Sequence, residues 1–180
     1  KRVKNKNLQK IKGKSLVERK IIFVKKTRIF DEIFLSSDSS RILHFGKKNK
    51  INLIKRPKKL SQDDSEERKA WVHAINSAYK ISKFDIMVVL PCTSPFTKKI
   101  DIIKCLNIFK KIKSDLVTTI SESERSPYFN MVSKNNSNFI KILINKKKFN
   151  SRKNLKKIYN LSNSIYVARP EYIMKNNHIY

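Results

Sequence analysis

Phe84-Asp-Ile-Met-Val-Val-Leu-Pro-Cys-Thr-Ser-Pro-Phe96 decides the fold. Its apolar run, Ile86 to Leu90, is unbroken, partly β-branched, and stopped by Pro91. A short run that is apolar on both faces reads as a strand buried in the middle of a parallel sheet. Pro91 and Pro95 have no N–H to give to a ladder, so the strand must end there. In open α/β sheets ligands bind beyond the carboxyl ends of the strands. Thr93 and Ser94 fall at such an end, with hydroxyls free to meet a polar ligand. A Ser/Thr-Pro turn without a ligand has the same composition.

On the N-terminal side, Lys12-Gly13 is a turn signal, and Ser15 with Glu18 makes a capping box. Leu16, Val17, Ile21 and Val24 follow at helical spacing, although Ile21 to Val24 also has strand propensity. Strands are expected at 32–36 and 51–54, with a short helix over 41–47 between them. A helix over 64–80 is capped by Asp64 or Ser65 and carries Trp71, Ala74, Ile75 and Tyr79 as its apolar stripe. On the C-terminal side, 99–112 reads as a helix burying Ile102, Cys105, Leu106, Phe109 and Ile112. Strands are expected at 115–120, 128–132, 139–144 and 164–167, and Arg169-Pro170 opens a last helical turn. The polar run 146–157 reads as an exposed loop. Alternating strands and helices argue for an α/β fold with a mostly parallel sheet flanked by helices.

A length of 180 residues is one domain's worth and buries a real core. No apolar run approaches the roughly 20 residues of a membrane span. Cys92 and Cys105 show neither metal spacing nor a disulfide framework, which suits a reducing cytoplasm. With two glycines, a complete Rossmann or Walker phosphate loop is excluded. His44, His73 and His178 lie at helical or terminal positions and read as packed or surface side chains. The formal net charge of +28 suggests nucleic acid. However, lysines are spread over the whole chain among many Asn and Ile, as A/T-rich codon usage produces, and aromatics do not interleave with them. The expectation is salt-sensitive adhesion to polyanions, with no specific nucleic-acid partner and no membrane.

Six segments occur in fixed order: KNKNL at 4–8, FDEIFLSSDS at 30–39, KRPKKLSQDDS at 55–65, LPCTSPF at 90–96, ERSPYFNMV at 124–132 and NSIYV at 163–167. Together they resemble the acylneuraminate cytidylyltransferases, which make CMP-activated sialic acid and related nonulosonic acids such as legionaminic acid. The resemblance covers nearly the whole chain. It implies a nucleotide-diphospho-sugar-transferase-like, Rossmann-like fold, CTP as co-substrate, Mg²⁺ as cofactor and a homodimer. It also implies attack of the sugar's anomeric hydroxyl on the α-phosphate of CTP, with release of pyrophosphate. Carried over by position, Lys6 and Asn7 end the phosphate-binding loop, with Lys6 the catalytic candidate, and Lys1 is that loop's earlier lysine. Arg56, Ser65, Ser37, Asp38 and Asp63 fall on the nucleotide side. Thr93, Ser94 and Tyr166 fall on the sugar side. Lysine meets phosphate oxygens as a point charge and arginine as a fork, so these residue types suit a triphosphate.

The chain departs from the family pattern in several places. Pro91 stands where many members carry Gln, Thr97 where Arg is frequent, and Glu67 where Ser or Arg is usual. An Ala-Arg-x-x-Ser segment is expected before Lys1 and the Mg²⁺-binding aspartates past Tyr180, so the expectation is a single domain over 1–180, truncated at both ends and inactive alone. An excursion near 125–162 is expected to serve dimerisation or the sugar side. The rival readings are a nucleotide-binding piece without catalysis and a basic polyanion-binding protein.

Overall fold

The computed structural model describes residues 3, 5–144 and 157–180. The chain forms two compact units, 1–118 with 163–180, and 119–162. In the first unit, β1 (Lys10–Ile11) and β2 (Lys14–Ser15) form a small hairpin. Its turn residues Lys12 and Gly13 both have positive φ, 47° and 79°, as a tight hairpin turn requires. Ser15 then caps α1 (Leu16–Thr27): its hydroxyl accepts from Glu18 N, and the Glu18 carboxylate accepts from Ser15 N at 2.9 Å. The expected capping box therefore forms, and Leu16, Val17, Ile21 and Val24 make the buried stripe. Helix wins over strand at 21–24 because the cap fixes the frame in which these residues share one face.

Strands β3 (Phe34–Ser37) and β4 (Asn52–Lys55) pair in parallel, with α2 (Ser40–Lys48) as the crossover. Gly46 lets α2 lie against this pair: a Cβ there would come within 2.4 Å of Leu53 and 2.9 Å of Leu35. Next comes α3 (Glu67–Ala78), which starts later than expected. Neither proposed cap is used; Ser65 Oγ instead donates to Lys59 O at 2.7 Å, and Glu66 precedes the helix without a side-chain cap.

Strand β5 (Met87–Val89), α4 (Lys99–Lys111) and β6 (Leu116–Glu122) follow. Ile102, Cys105 and Phe109 of α4 are buried, but Ile112 lies past the helix end and is 62% exposed. Strands β7 (Val132–Lys134) and β8 (Ile140–Ile142) belong to the second unit. Strand β9 (Tyr159–Ala168) then leads into α5 (Pro170–Lys175), with Pro170 in the first turn as expected.

The three-stranded sheet has the order β5-β9-β6. Here the reading of 86–90 needs correction: β5 is half-buried, and its described neighbour β9 runs antiparallel to it. The residues buried on both faces are those of β9. Tyr166 and Ala168 join Trp71, Ile75 and Ile173 in one cluster, while Ile165 and Val167 join Ile102, Cys105 and Phe109 in the other.

In the second unit, β7 and β8 form an antiparallel hairpin, Val132 opposite Ile142. Asn135 Oδ1 organises its turn by accepting from Ser137 N and Phe139 N, each at 3.0 Å. The strand expected at 128–132 is instead a turn, because Phe129, Asn130 and Met131 N–H groups all converge on Ser126 O. The run 146–157 lies outside the described residues except for Lys157. Among the described residues, no helix is long and apolar enough to cross a membrane.

Candidate functional site

Parallel pairing brings the carboxyl ends of β3 and β4 to the same edge, and a cleft of about 270 Å³ opens there. Asn5, Asn7, Leu8 and Val17 line it from the N-terminal segment; Leu35 to Ser39 and Ile42 from the β3–α2 corner; Arg56 and Ser61 after β4; and Cys92 after β5. Each part is held locally. Asn5 takes the left-handed conformation that Asn tolerates, φ 53°, and Leu8 N donates back to Asn5 O at 2.8 Å. At the corner, Ser37 Oγ accepts from Ser39 N at 3.2 Å, and Ser39 Oγ caps α2. Arg56 continues the ladder by donating from its backbone N to Ser37 O at 2.9 Å, and its Nη2 donates to Ser36 O at 2.7 Å.

Among the described residues, three lining side chains have a buried polar atom without a hydrogen-bond partner: Asn7 Oδ1, Ser36 Oγ and Arg56 Nε. Buried polar atoms are nearly always hydrogen-bonded, and leaving one unmade costs about 1–3 kcal/mol. Two of the three are a donor and a hydroxyl, and with the Arg56 charge they suit an anionic, oxygen-rich ligand. Behind Arg56, burial pushes the Glu67 carboxyl up, opposed by the attraction of Arg56 and a hydrogen bond from Trp71. Trp71 in turn meets Tyr166 edge-to-face, centroids 4.9 Å apart.

Of the residues singled out from the sequence, Asn7, Ser37, Asp38 and Arg56 come together in this cleft. Lys6 adjoins Asn7 in the short 3-10 helix Lys6–Leu8 and is exposed. Lys1 lies outside the described residues. Asp63 and Ser65 belong to the turn before α3 and are not among the lining residues. Thr93 is exposed; Ser94 is half-buried, its Oγ donating to Asn163 O at 3.4 Å. Tyr166 is 1% exposed, and its hydroxyl donates to Asn163 Oδ1 at 2.7 Å, so it packs in the core and orders the 163–166 backbone. Burial, together with the neighbouring Tyr180 hydroxyl, raises its pKa beyond the usual phenol range.

Ser36, Ser61 and Cys92 line the cleft without having been singled out in the sequence, and Lys20 lies outside the lining. Ser36 and Ser61 have common residue types in polar runs, and Cys92 was read only for metal and disulfide spacing. Lys20 left a visible signal: it occupies the apolar face of α1, one turn from Val17 and Val24. A second cavity of about 450 Å³, lined by Leu8, Lys10, Ser15, Ser40, Arg41, His44 and Phe45, holds none of the expected site residues.

Among the described residues, no group of three or more His, Cys, Asp or Glu could hold a metal ion. The cleft contributes one carboxylate, Asp38. The described residues therefore do not form a Mg²⁺ site by themselves.

A family model described as Cytidylyltransferase matches residues 1–178. Post-translational flagellin modification protein B of Campylobacter coli is 27% identical over 181 aligned positions, covering 99% of this chain and 76% of that protein. CMP-N,N'-diacetyllegionaminic acid synthase of Campylobacter jejuni is 26% identical with the same coverage. Among solved structures, a CMP:2-keto-3-deoxy-manno-octonic acid synthetase complexed with CTP superposes with a TM-score of 0.64 at 14% identity, covering 96% of this chain and 70% of that one. The 4-diphosphocytidyl-2C-methyl-D-erythritol synthase of Anaerococcus prevotii gives 0.62 at 13%, covering 92% and 67%. These two likenesses show the fold.

Proposed function

The chain belongs to the cytidylyltransferase family and is a nucleotidyltransferase, and from that premise we propose that it transfers CMP from CTP to a nonulosonic acid of the sialic or legionaminic type. The sugar's anomeric hydroxyl attacks the α-phosphorus of CTP; the new P–O bond forms as the bond to pyrophosphate breaks. The acceptor class is supported by the name of the legionaminic acid synthase relative. The observation that carries the nucleotide assignment is the cleft lined by Asn7, Ser36 and the cationic Arg56, each with a buried polar atom unpartnered among the described residues.

The chemistry asked of these residues is positioning and charge neutralisation. Arg56 is anchored through Nη2 and keeps Nε for a phosphate or ribose oxygen. Asn7 Oδ1, an acceptor, suits a ribose hydroxyl or a base amino group. Lys6, exposed beside Asn7, can swing onto the phosphates. Mg²⁺ would neutralise pyrophosphate charge, at a site that the described residues do not complete by themselves. Two cysteines that are both free suit a reducing cytoplasm, where we place the reaction.

We assign the second unit to homodimerisation. Val132, Phe139, Ile140 and Leu143 of one hairpin region are exposed, Phe139 by 74%, and a second copy of the chain is the partner such a patch fits. Phe139→Asp should shift the protein to monomer in light scattering; an unchanged mass would remove this face from the interface. Calorimetric titration tests the nucleotide assignment: CTP should bind and ATP should bind more weakly. No CTP binding, or equal binding of both, would favour the polyanion reading.

A further inference from the structure

Lys20 projects from α1 and is 6% exposed. Its Nζ donates to Ser94 O at 2.7 Å and to Thr97 Oγ1 at 3.0 Å, and Thr97 Oγ1 itself donates to Ser94 O at 2.8 Å. Among the described residues no carboxylate pairs with it in a salt bridge. A buried ammonium is expensive unless paired, and apolar side chains of similar length fill such a site at lower cost. Its two hydrogen bonds and the Phe23 ring, 5.6 Å from Nζ to centroid, offset only part of that cost. What it holds is the glycine-free loop 91–97, which delivers Cys92 to the cleft and carries Thr93 and Ser94 beside it. The loop is otherwise closed by Ser94 N donating to Pro91 O at 3.2 Å.

We propose that Lys20 is a positioning residue that locks the loop 91–97 by bridging Ser94 O and Thr97 Oγ1, and so sets where Thr93 and Ser94 meet the acceptor. This rests on the reading of the cleft as a cytidylyltransferase site, and it explains why Thr97 rather than a longer side chain follows Phe96: a hydroxyl completes the three-way contact. Burial holds the lysine's pKa below its ordinary value, opposed by electrostatic attraction to the Cys92 sulfur.

The test compares the protein with Lys20→Met, which keeps the stem and removes the ammonium, and with Thr97→Val. Backbone amide exchange over 92–97 should accelerate about tenfold or more in Lys20→Met, since hydrogen bonds to a charged donor are lost. Exchange in α1 should be unchanged, and the melting temperature unchanged or higher. Thr97→Val should give a smaller acceleration in the same segment. With CTP and the nonulosonic acid, the acceptor KM should rise about tenfold while CTP affinity stays constant. Unchanged exchange at 92–97 overturns the proposal, as does acceleration spread over α1 with a lowered melting temperature, the mark of a purely structural lysine. Exchange is read without turnover, so a failure of the enzymatic reading shows separately, as absent CTP binding in the parent protein.

Discussion

Strands β5 and β9 lie side by side and antiparallel, Met87 opposite Ala168 and Val89 opposite Tyr166. Both send alternate side chains into the same two clusters: Met87 and Val89 with Tyr166 and Ala168, Val88 with Ile165 and Val167. Yet Val167 is fully buried while β5 is half-exposed. Composition does not explain this, since 86–90 is the more continuous apolar run. Position does. Strand β9 has neighbours on both sides, β5 and β6, and helices over both faces. Strand β5 has one described neighbour. An apolar run reports what a strand can bury, and its sheet order determines what it does bury.

Charge placed in each strand should separate them most. Val167→Asp buries an unpaired carboxylate among Ile102, Cys105 and Phe109 and should cost about 4 kcal/mol or more, enough to unfold a marginal domain. Val88→Asp should cost about half as much, because water reaches it. Equal costs by urea melts would break the contrast.

A smaller effect probes how β9 is held to β6. Thr118 Oγ1 donates to Ile165 O at 3.1 Å, so Thr118→Val should lower stability by about 1 kcal/mol. No change would mean that this bond is exchanged for solvent at no cost.

The smallest effect is a pH slope at Glu67, whose carboxyl is attracted by Arg56 and hydrogen-bonded by Trp71. Burial raises its carboxyl above the ordinary 4.5, so the folded protein binds that proton more tightly than the unfolded chain. Its contribution to stability is therefore largest below pH 4.5 and is lost as pH rises through the folded pKa. Glu67→Gln should flatten the stability profile just above pH 4.5. A profile identical to the parent's would show that Arg56 cancels the burial.

Local signals in the sequence were accurate where one or two residues set the geometry. Ser15 with Glu18, Lys12-Gly13 and Arg169-Pro170 gave a cap, a turn and a helix start where expected. The strand at 128–132 failed because three N–H groups converge on Ser126 O, a geometry with no apolar signature. In the site, Asn7, Ser37, Asp38 and Arg56 were legible only through the ordered segments that resemble the cytidylyltransferases; charge and spacing alone do not single them out. Tyr166 was placed on the sugar side by the resemblance alone; in the structure its hydroxyl donates to Asn163 Oδ1 inside the core. Ser36 was not legible at all: its importance lies in an unpartnered oxygen, which appears only when the fold buries it.

The most direct measurement is CTP affinity for the parent protein and for Arg56→Ala, read calorimetrically alongside each protein's melting curve. The account predicts CTP binding by the parent and a loss of about 1.5–3 kcal/mol in the variant, the worth of a charge-assisted hydrogen bond, with the fold intact. Undiminished CTP affinity in a folded Arg56→Ala protein would remove the arginine, and with it this cleft, from the nucleotide site.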